Sequence, residues 1–72
     1  MRYYFDIYNG DTCRDDDGLD FPTVHVAITE AARAVSAMSA SIVDGGAIAI
    51  EVRDADGIVA VVTASIEIDR KR

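Results

Sequence analysis

One segment with helical periodicity, residues 24–43, lies between two stretches whose residues alternate as in β-strands. Its apolar residues recur at intervals of four and three, which places them along one face of a helix. The residues of this face are Val24, Ile28, Ala31, Val35, Met38 and Ile42. Thr23, after Pro22, is a suitable N-cap, and Asp44-Gly45-Gly46 is expected to end the helix.

The amino-terminal stretch, "RYYFDIY" at residues 2–8, has the aromatic and β-branched composition of a strand. Alternation places Tyr3, Phe5 and Ile7 on the inward face, and Tyr4, Asp6 and Tyr8 on the outward face. Asn9-Gly10 favours a type I′ hairpin turn. Residues 12–14 are then expected to return as a short second strand.

The carboxy-terminal third predicts a second hairpin. "AIAIEVRD", residues 47–54, alternates cleanly, and "DADG", residues 54–57, has the composition of a tight turn. This turn places Val52 opposite Ala60, and the pairs that follow along the hairpin are Ile50 with Val62 and Ile48 with Ala64.

These elements predict an α+β fold of ββαββ order. A four-stranded, mainly antiparallel sheet is expected, with the one helix packed on one of its faces. Residues 1–69 form a single domain and residues 70–72 a basic tail. The face away from the helix carries a candidate partner surface, because a domain of 72 residues buries little of its surface and exposed apolar patches mark interaction sites. The residues of this candidate surface are Tyr4, Tyr8, Val59 and Val61.

Composition excludes several classes of protein. Thirteen acidic residues against seven basic ones give a net charge of −6, which disfavours nucleic-acid binding because phosphate contacts need Lys and Arg. The one cysteine cannot form an internal disulfide, as is usual in a reducing compartment. No apolar run reaches the roughly 20 residues that span a bilayer. We therefore expect a cytoplasmic protein that binds neither nucleic acid nor membrane.

The acidic loop "DTCRDDDGLDFP", residues 11–22, raises the question of a metal site. With Gly18 at the sixth position of a calcium loop, the first and twelfth positions are Cys13 and Val24, neither of which is a suitable ligand. A turn in which aspartates bond their own backbone is the preferred interpretation. Divalent-cation binding through Asp15, Asp16 and Asp17 is a weaker alternative.

Catalytic and cofactor chemistry finds little support in the sequence. Cys13 and His25 cannot complete a zinc site by themselves, and they have no third group to orient them as nucleophile and base. The glycines match no phosphate-binding motif. We expect no metal, no cofactor and no enzymatic activity.

The ordered motifs "RYYFDIYNGD", "DDDGLDFP", "EAARA" and "IEVRDADGIV" resemble a family of short bacterial proteins. That family is known only as a domain of unknown function and is abundant in rhizobia and related alphaproteobacteria. The resemblance implies a small sheet-plus-helix domain and no activity. "DGLDFP" and "ITEAARA" also resemble antitoxins of the HicB type, which implies an inhibitor of a nucleic-acid enzyme.

The sequence thus favours a non-enzymatic interaction module, expected to form a homodimer and to bind a protein partner through a sheet face or edge. One alternative is an acidic, antitoxin-like inhibitor that covers a basic enzyme by charge complementarity. The other is the weak cation binder described above.

Overall fold

A computed structural model of the chain describes residues 1–72. Its elements are β1 (Arg2–Tyr8), β2 (Thr12–Cys13), β3 (Leu19–Asp20), α1 (Val24–Met38), a 3-10 turn (Ser39–Ser41), β4 (Ala47–Asp54) and β5 (Gly57–Ser65). All strand pairs are antiparallel, in the order β2-β1-β4-β5, and β3 also pairs with β1. The α+β class and the one α-helix are confirmed, and the predicted ββαββ order holds roughly. The short strand β3 was not predicted and brings the sheet to five strands.

Helix α1 begins where the sequence predicts and ends earlier. The Thr23 hydroxyl accepts a hydrogen bond from the Val26 backbone N–H at 3.2 Å, which makes it the N-cap. The α-helix stops at Met38, and the predicted continuation to residue 43 is wrong. Ser39 and Ser41 donate their hydroxyls to nearby backbone carbonyls. Such side-chain bonds compete with the regular helical pattern and favour the tighter 3-10 turn.

The carboxy-terminal hairpin has the predicted register: Val52 pairs with Ala60, and the following pairs are Ile50 with Val62 and Ile48 with Ala64. Asp54 accepts bonds from the backbone N–H groups of Asp56 and Gly57, which fixes the turn. The amino-terminal hairpin has a three-residue loop between Tyr8 and Thr12. The prediction of a type I′ turn there is wrong, because such a turn needs a positive φ at both central residues. Gly10 has a positive φ and Asn9 does not.

The core lies between α1 and the sheet. Its buried members are Tyr3, Ala27, Ala31, Val35, Ile50 and Val52. Alanine at two of the helix positions lets the helix backbone approach the strands closely, and α1 packs mainly over β4 and β5. Val35 is buried and Met38 packs beside it, as predicted. Val24, placed in the same stripe by its spacing, is 42% exposed because the buried face runs through Ala27 and not through the first helical residue.

Candidate functional site

The acidic loop lies along the outer edge of β1. β2 pairs with the end of β1, and β3 pairs with its beginning, so the two short strands are pieces of one interrupted edge strand. Residues 14–18 form the interruption. In the gap the Asp15 carboxylate accepts the Phe5 backbone N–H at 3.1 Å, and its second oxygen accepts the N–H groups of Asp17 and Gly18. A side chain therefore occupies the place of the missing strand, and Asp15 bonds its own backbone as the sequence predicts.

Asp6 and Arg53 hold this loop against the sheet. The Arg53 Nε donates to Asp6 Oδ2 at 2.8 Å, and the Asp6 side chain is 4% exposed. The Asp15 backbone N–H donates to Asp6 Oδ1 at 2.9 Å, and Arg53 Nη2 donates to the Asp15 carbonyl at 2.6 Å. The Arg53 guanidinium also lies 4.6 Å from the centre of the Tyr4 ring, within cation–π range. We call Asp6, Asp15 and Arg53 the β1-edge cluster.

Hydrogen bonds favour the charged forms of all three side chains of the β1-edge cluster. The hydrogen bond from Arg53 holds the pKa of Asp6 below its ordinary value, in spite of burial, which acts in the opposite direction. Backbone hydrogen bonds, first that from Gly18, lower the pKa of Asp15 in the same way. The bond to Asp6 raises the pKa of Arg53. All three groups are therefore ionised at neutral pH, and no buried side-chain oxygen or nitrogen lacks a partner.

Gly18 closes the loop because no other residue fits its position. Its φ is +70°, a left-handed conformation that glycine adopts most easily. A Cβ atom there would lie 2.8 Å from the Tyr3 carbonyl oxygen, closer than a van der Waals contact allows. The "DDDG" motif thus joins an acceptor, Asp15, to the turn that positions it.

This arrangement changes what the acidic residues can do chemically. Both Asp15 oxygens accept backbone hydrogen bonds, so that carboxylate has little capacity left for a cation. Asp16 and Asp17 are exposed. No group of three or more His, Cys, Asp or Glu side chains is arranged to hold a metal ion. Cys13 on β2 and His25 on α1 are both exposed and lie on separate elements.

The four residues of the candidate partner surface are not contiguous. Tyr4 and Tyr8 lie on β1, whereas Val59 and Val61 lie on β5. β4 runs between these strands, with Arg53 beside Tyr4 in the register. A charged strip therefore separates the aromatic pair from the valines.

β5 forms the opposite edge of the sheet and has no neighbour on its outer side. Its nine residues, "GIVAVVTAS", contain no charged residue and no proline. Ile58 is 60% exposed and Val61 is 57% exposed. The lack of charge is visible in the sequence, but only the strand order identifies this strand as an edge.

A shallow groove of about 430 Å³ lies beside the acidic loop. Phe5 and Ile7 line it and are only half-buried, because α1 packs over β4 and β5 and leaves β1 near the margin. The other lining residues are Cys13, Arg14, Asp15, Asp16 and Asp17. The groove thus combines an apolar lining with three acidic residues and one basic residue.

The length and apolar character of the helical segments decide whether they could cross a membrane. Neither α1 nor the short 3-10 turn has the length and apolar character needed to cross a bilayer.

The fold and its two contrasting edges define a small α+β domain with one helix over an antiparallel sheet. The family model described as "Domain of unknown function (DUF6894)" matches residues 2–65, and the chain belongs to that family. The matched region contains every strand and the helix. Searches of curated proteins and of solved structures found no match.

Proposed function

We propose that this chain is a non-enzymatic interaction module that self-associates and binds protein through its β5 side. One observation carries the proposal: β5 is a nine-residue edge strand, uncharged along its length, with exposed apolar side chains. Proteins normally protect such edges with lysine, proline, bulges or covering loops, because open strands pair with other chains. The β4–β5 ladder has one register shift, next to Val52, and none from there to Ser65.

The size of the core supports the same proposal. Only eight of the 72 residues are buried, which is little for a chain that must offset its conformational entropy by burial. Association would cover the exposed side chains of Ile58 and Val61 and would add to the apolar area removed from water. A partner is therefore expected to stabilise the fold as well as to bind it.

Sedimentation velocity over a range from micromolar to millimolar chain tests this proposal. We expect the wild type to form a dimer and Val61→Lys to remain monomeric, because a charged lysine on an edge strand disfavours pairing with another strand. Leu19→Lys is the matched control, since it places the same change on a residue of β3 that is 59% exposed, at the opposite edge of the sheet. A wild-type chain that stays monomeric at millimolar concentration, with no partner in a native pull-down, would overturn the proposal.

The groove beside the acidic loop favours a second candidate, an antitoxin-like inhibitor that covers a basic protein. Phe5 and Ile7 would receive an apolar side chain, and the carboxylates of Asp16 and Asp17 would attract neighbouring lysines or arginines. This candidate differs from the first in its surface, because the groove and β5 lie at opposite sides of the sheet.

A peptide that alternates lysine with leucine and phenylalanine and carries a dye at its end is a direct probe, with fluorescence anisotropy of the dye as the readout. We expect Asp16→Asn/Asp17→Asn to weaken binding by about tenfold at low salt. Asp56→Asn/Glu67→Gln removes the same charge at a distance from the groove and should weaken binding less than about twofold. Equal effects of the two variants would indicate general charge attraction and exclude the groove.

The cation alternative is the weakest, since both Asp15 oxygens accept backbone hydrogen bonds and Asp16 pairs with Arg14 at 3.7 Å. A cation that binds the folded chain would raise its melting temperature. An unchanged melting temperature in millimolar calcium or magnesium would exclude this alternative.

A further inference from the structure

We infer that β5 pairs edge to edge, antiparallel, with β5 of a second copy, about a two-fold axis at Thr63. The inference rests on the proposed self-association and names its partner and its atoms. It is carried by the direction in which the backbone groups of β5 point.

The hydrogen bonds of β1 give the first evidence for the direction of the β5 backbone groups. The Phe5 N–H bonds to Asp15, on the side of β1 away from β4. In an antiparallel ladder the residues that bond to a given neighbour alternate. Asp6 and Glu51 therefore exchange the bonds between β1 and β4, and Val52 directs its N–H and C=O toward β5. Its partner on β5 is Ala60, so Ala60, Val62 and Ala64 bond inward.

A second, independent observation shows that the same set of residues directs its backbone groups inward. Just beyond β5, the Ile66 carbonyl accepts the Gly45 N–H at 2.9 Å, and the Ile66 N–H donates to the Gly46 carbonyl at 3.2 Å. Both groups of this even-numbered residue point inward. Between the register shift and the end of β5, the backbone N–H and C=O groups directed outward from the free edge are therefore those of Val61, Thr63 and Ser65.

A second copy of the chain fits this edge. The three outward residues are symmetric about Thr63, so a two-fold axis there pairs Thr63 with its copy and Val61 with Ser65. Facing threonines are favourable cross-strand neighbours. No charged side chain lies on β5 to repel the copy. The dimer would join the two sheets into one, with both helices on the same face.

The helices leave room for this pairing. α1 packs over β4 and β5, so its axis is about 5 Å from the dimer axis when strands are spaced by about 4.8 Å. The two helix axes would then be about 10 Å apart, which is an ordinary distance for packed helices. The same pairing would thus bring α1 against its copy.

The test removes one outward N–H without touching the ladder to β4. Thr63→Pro lacks that N–H, and edge strands tolerate proline. Thr63→Ala changes the same side chain and keeps the N–H. We expect Thr63→Pro to raise the dimer dissociation constant at least about tenfold, and Thr63→Ala to change it less than about threefold, with both variants folded by circular dichroism.

Disulfide formation tests the axis in the Cys13→Ser background. Thr63→Cys should cross-link to its copy, because paired Cα atoms lie at about 5.5 Å. Val61→Cys should not, since two residues of offset on each strand separate the pair by more than about 7 Å. Dimers that survive Thr63→Pro, or that cross-link at residue 61 and not at 63, would overturn this inference. They would leave the proposed self-association in place, whereas a monomeric wild type would remove both.

Discussion

The two edges of this sheet differ in whether other residues cover their outward-pointing backbone N–H and C=O groups. At β1, two short strands and the Asp15 carboxylate satisfy the backbone groups, and Asp6 with Arg53 holds the covering loop. At β5, no strand, loop or charge covers the backbone. Acidic and basic side chains are thus concentrated at the edge that stays closed.

The comparison teaches that one feature of the sequence can have a structural role where it looks functional. The acidic run, for which the sequence favours a turn over a ligand site, protects a strand edge. The run "GIVAVVTAS", which the sequence predicts as one strand of a hairpin, leaves its edge unprotected. The proposed interaction surface accordingly lies on β5, which has no charged residue.

Asp6→Ala should produce the largest effect on the closed edge. It leaves Arg53 without its carboxylate partner and removes the acceptor of the Asp15 N–H, so we expect a loss of about 2–4 kcal/mol in the free energy of unfolding. Urea denaturation measures it. Asp16→Ala is the control: its side chain is 84% exposed and its contact with Arg14 is 3.7 Å, so its cost should stay below about 0.5 kcal/mol. Equal losses would show that the cluster does not hold the loop.

Gly18→Ala should have the next largest effect. The added Cβ meets the Tyr3 carbonyl oxygen at 2.8 Å, and the residue keeps a positive φ, so a loss of about 2 kcal/mol is expected. Gly10→Ala is the matched comparison, with a positive φ and no atom within 4 Å of the added Cβ. It should cost about 1 kcal/mol. A reversal of this order in thermal unfolding would contradict the close docking of the loop.

The stability of the closed edge should fall at acid pH. Asp6 and Asp15 have pKa values below the ordinary 3.8, so the unfolded chain binds more protons than the folded one as the pH drops. Their contribution is complete above about pH 5 and is lost as the pH falls through their lowered native values. Urea denaturation from pH 7 to 2 should therefore give a smaller acid loss for Asp15→Asn than for the wild type. Parallel curves for the two proteins would argue against an ionised Asp15 in the cluster.

Val61→Lys should have the smallest effect on the folding of the single chain. Val61 is 57% exposed on the open edge, so the free energy of unfolding at low micromolar concentration should change by less than about 0.5 kcal/mol. The same substitution is expected to abolish the dimer. A large loss of stability at low concentration would mean that Val61 belongs to the monomer core, and the contrast between the edges would weaken.

Much of the fold was predictable because it depends on local patterns. The period-two alternation and the "DADG" turn fix the register of β4 with β5 residue by residue. The helical spacing and Thr23 locate the start of α1. The end of α1 was not predictable from the apolar stripe, since the serine hydroxyls that bond Ser36 and Met38 carbonyls interrupt a pattern that continues to Ile42.

The candidate site was harder to predict because it depends on contacts between distant residues. Alternation correctly places Asp6 on the face away from the helix, but its burial follows from Arg53, 47 residues further on, and from the loop backbone. β3 has two residues, too few for any periodicity. The sequence does not give the strand order, which places β4 between the pair Tyr4 and Tyr8 and the pair Val59 and Val61.

Amide hydrogen exchange compares both edges in one experiment and tests the central contrast most directly. The Phe5 N–H, bonded to Asp15, should be protected at every protein concentration. The Thr63 N–H should exchange freely in dilute solution and become protected as the concentration rises. A Thr63 N–H that exchanges freely even at millimolar protein concentration, or a Phe5 N–H that is never protected, would contradict the account of an open and a closed edge.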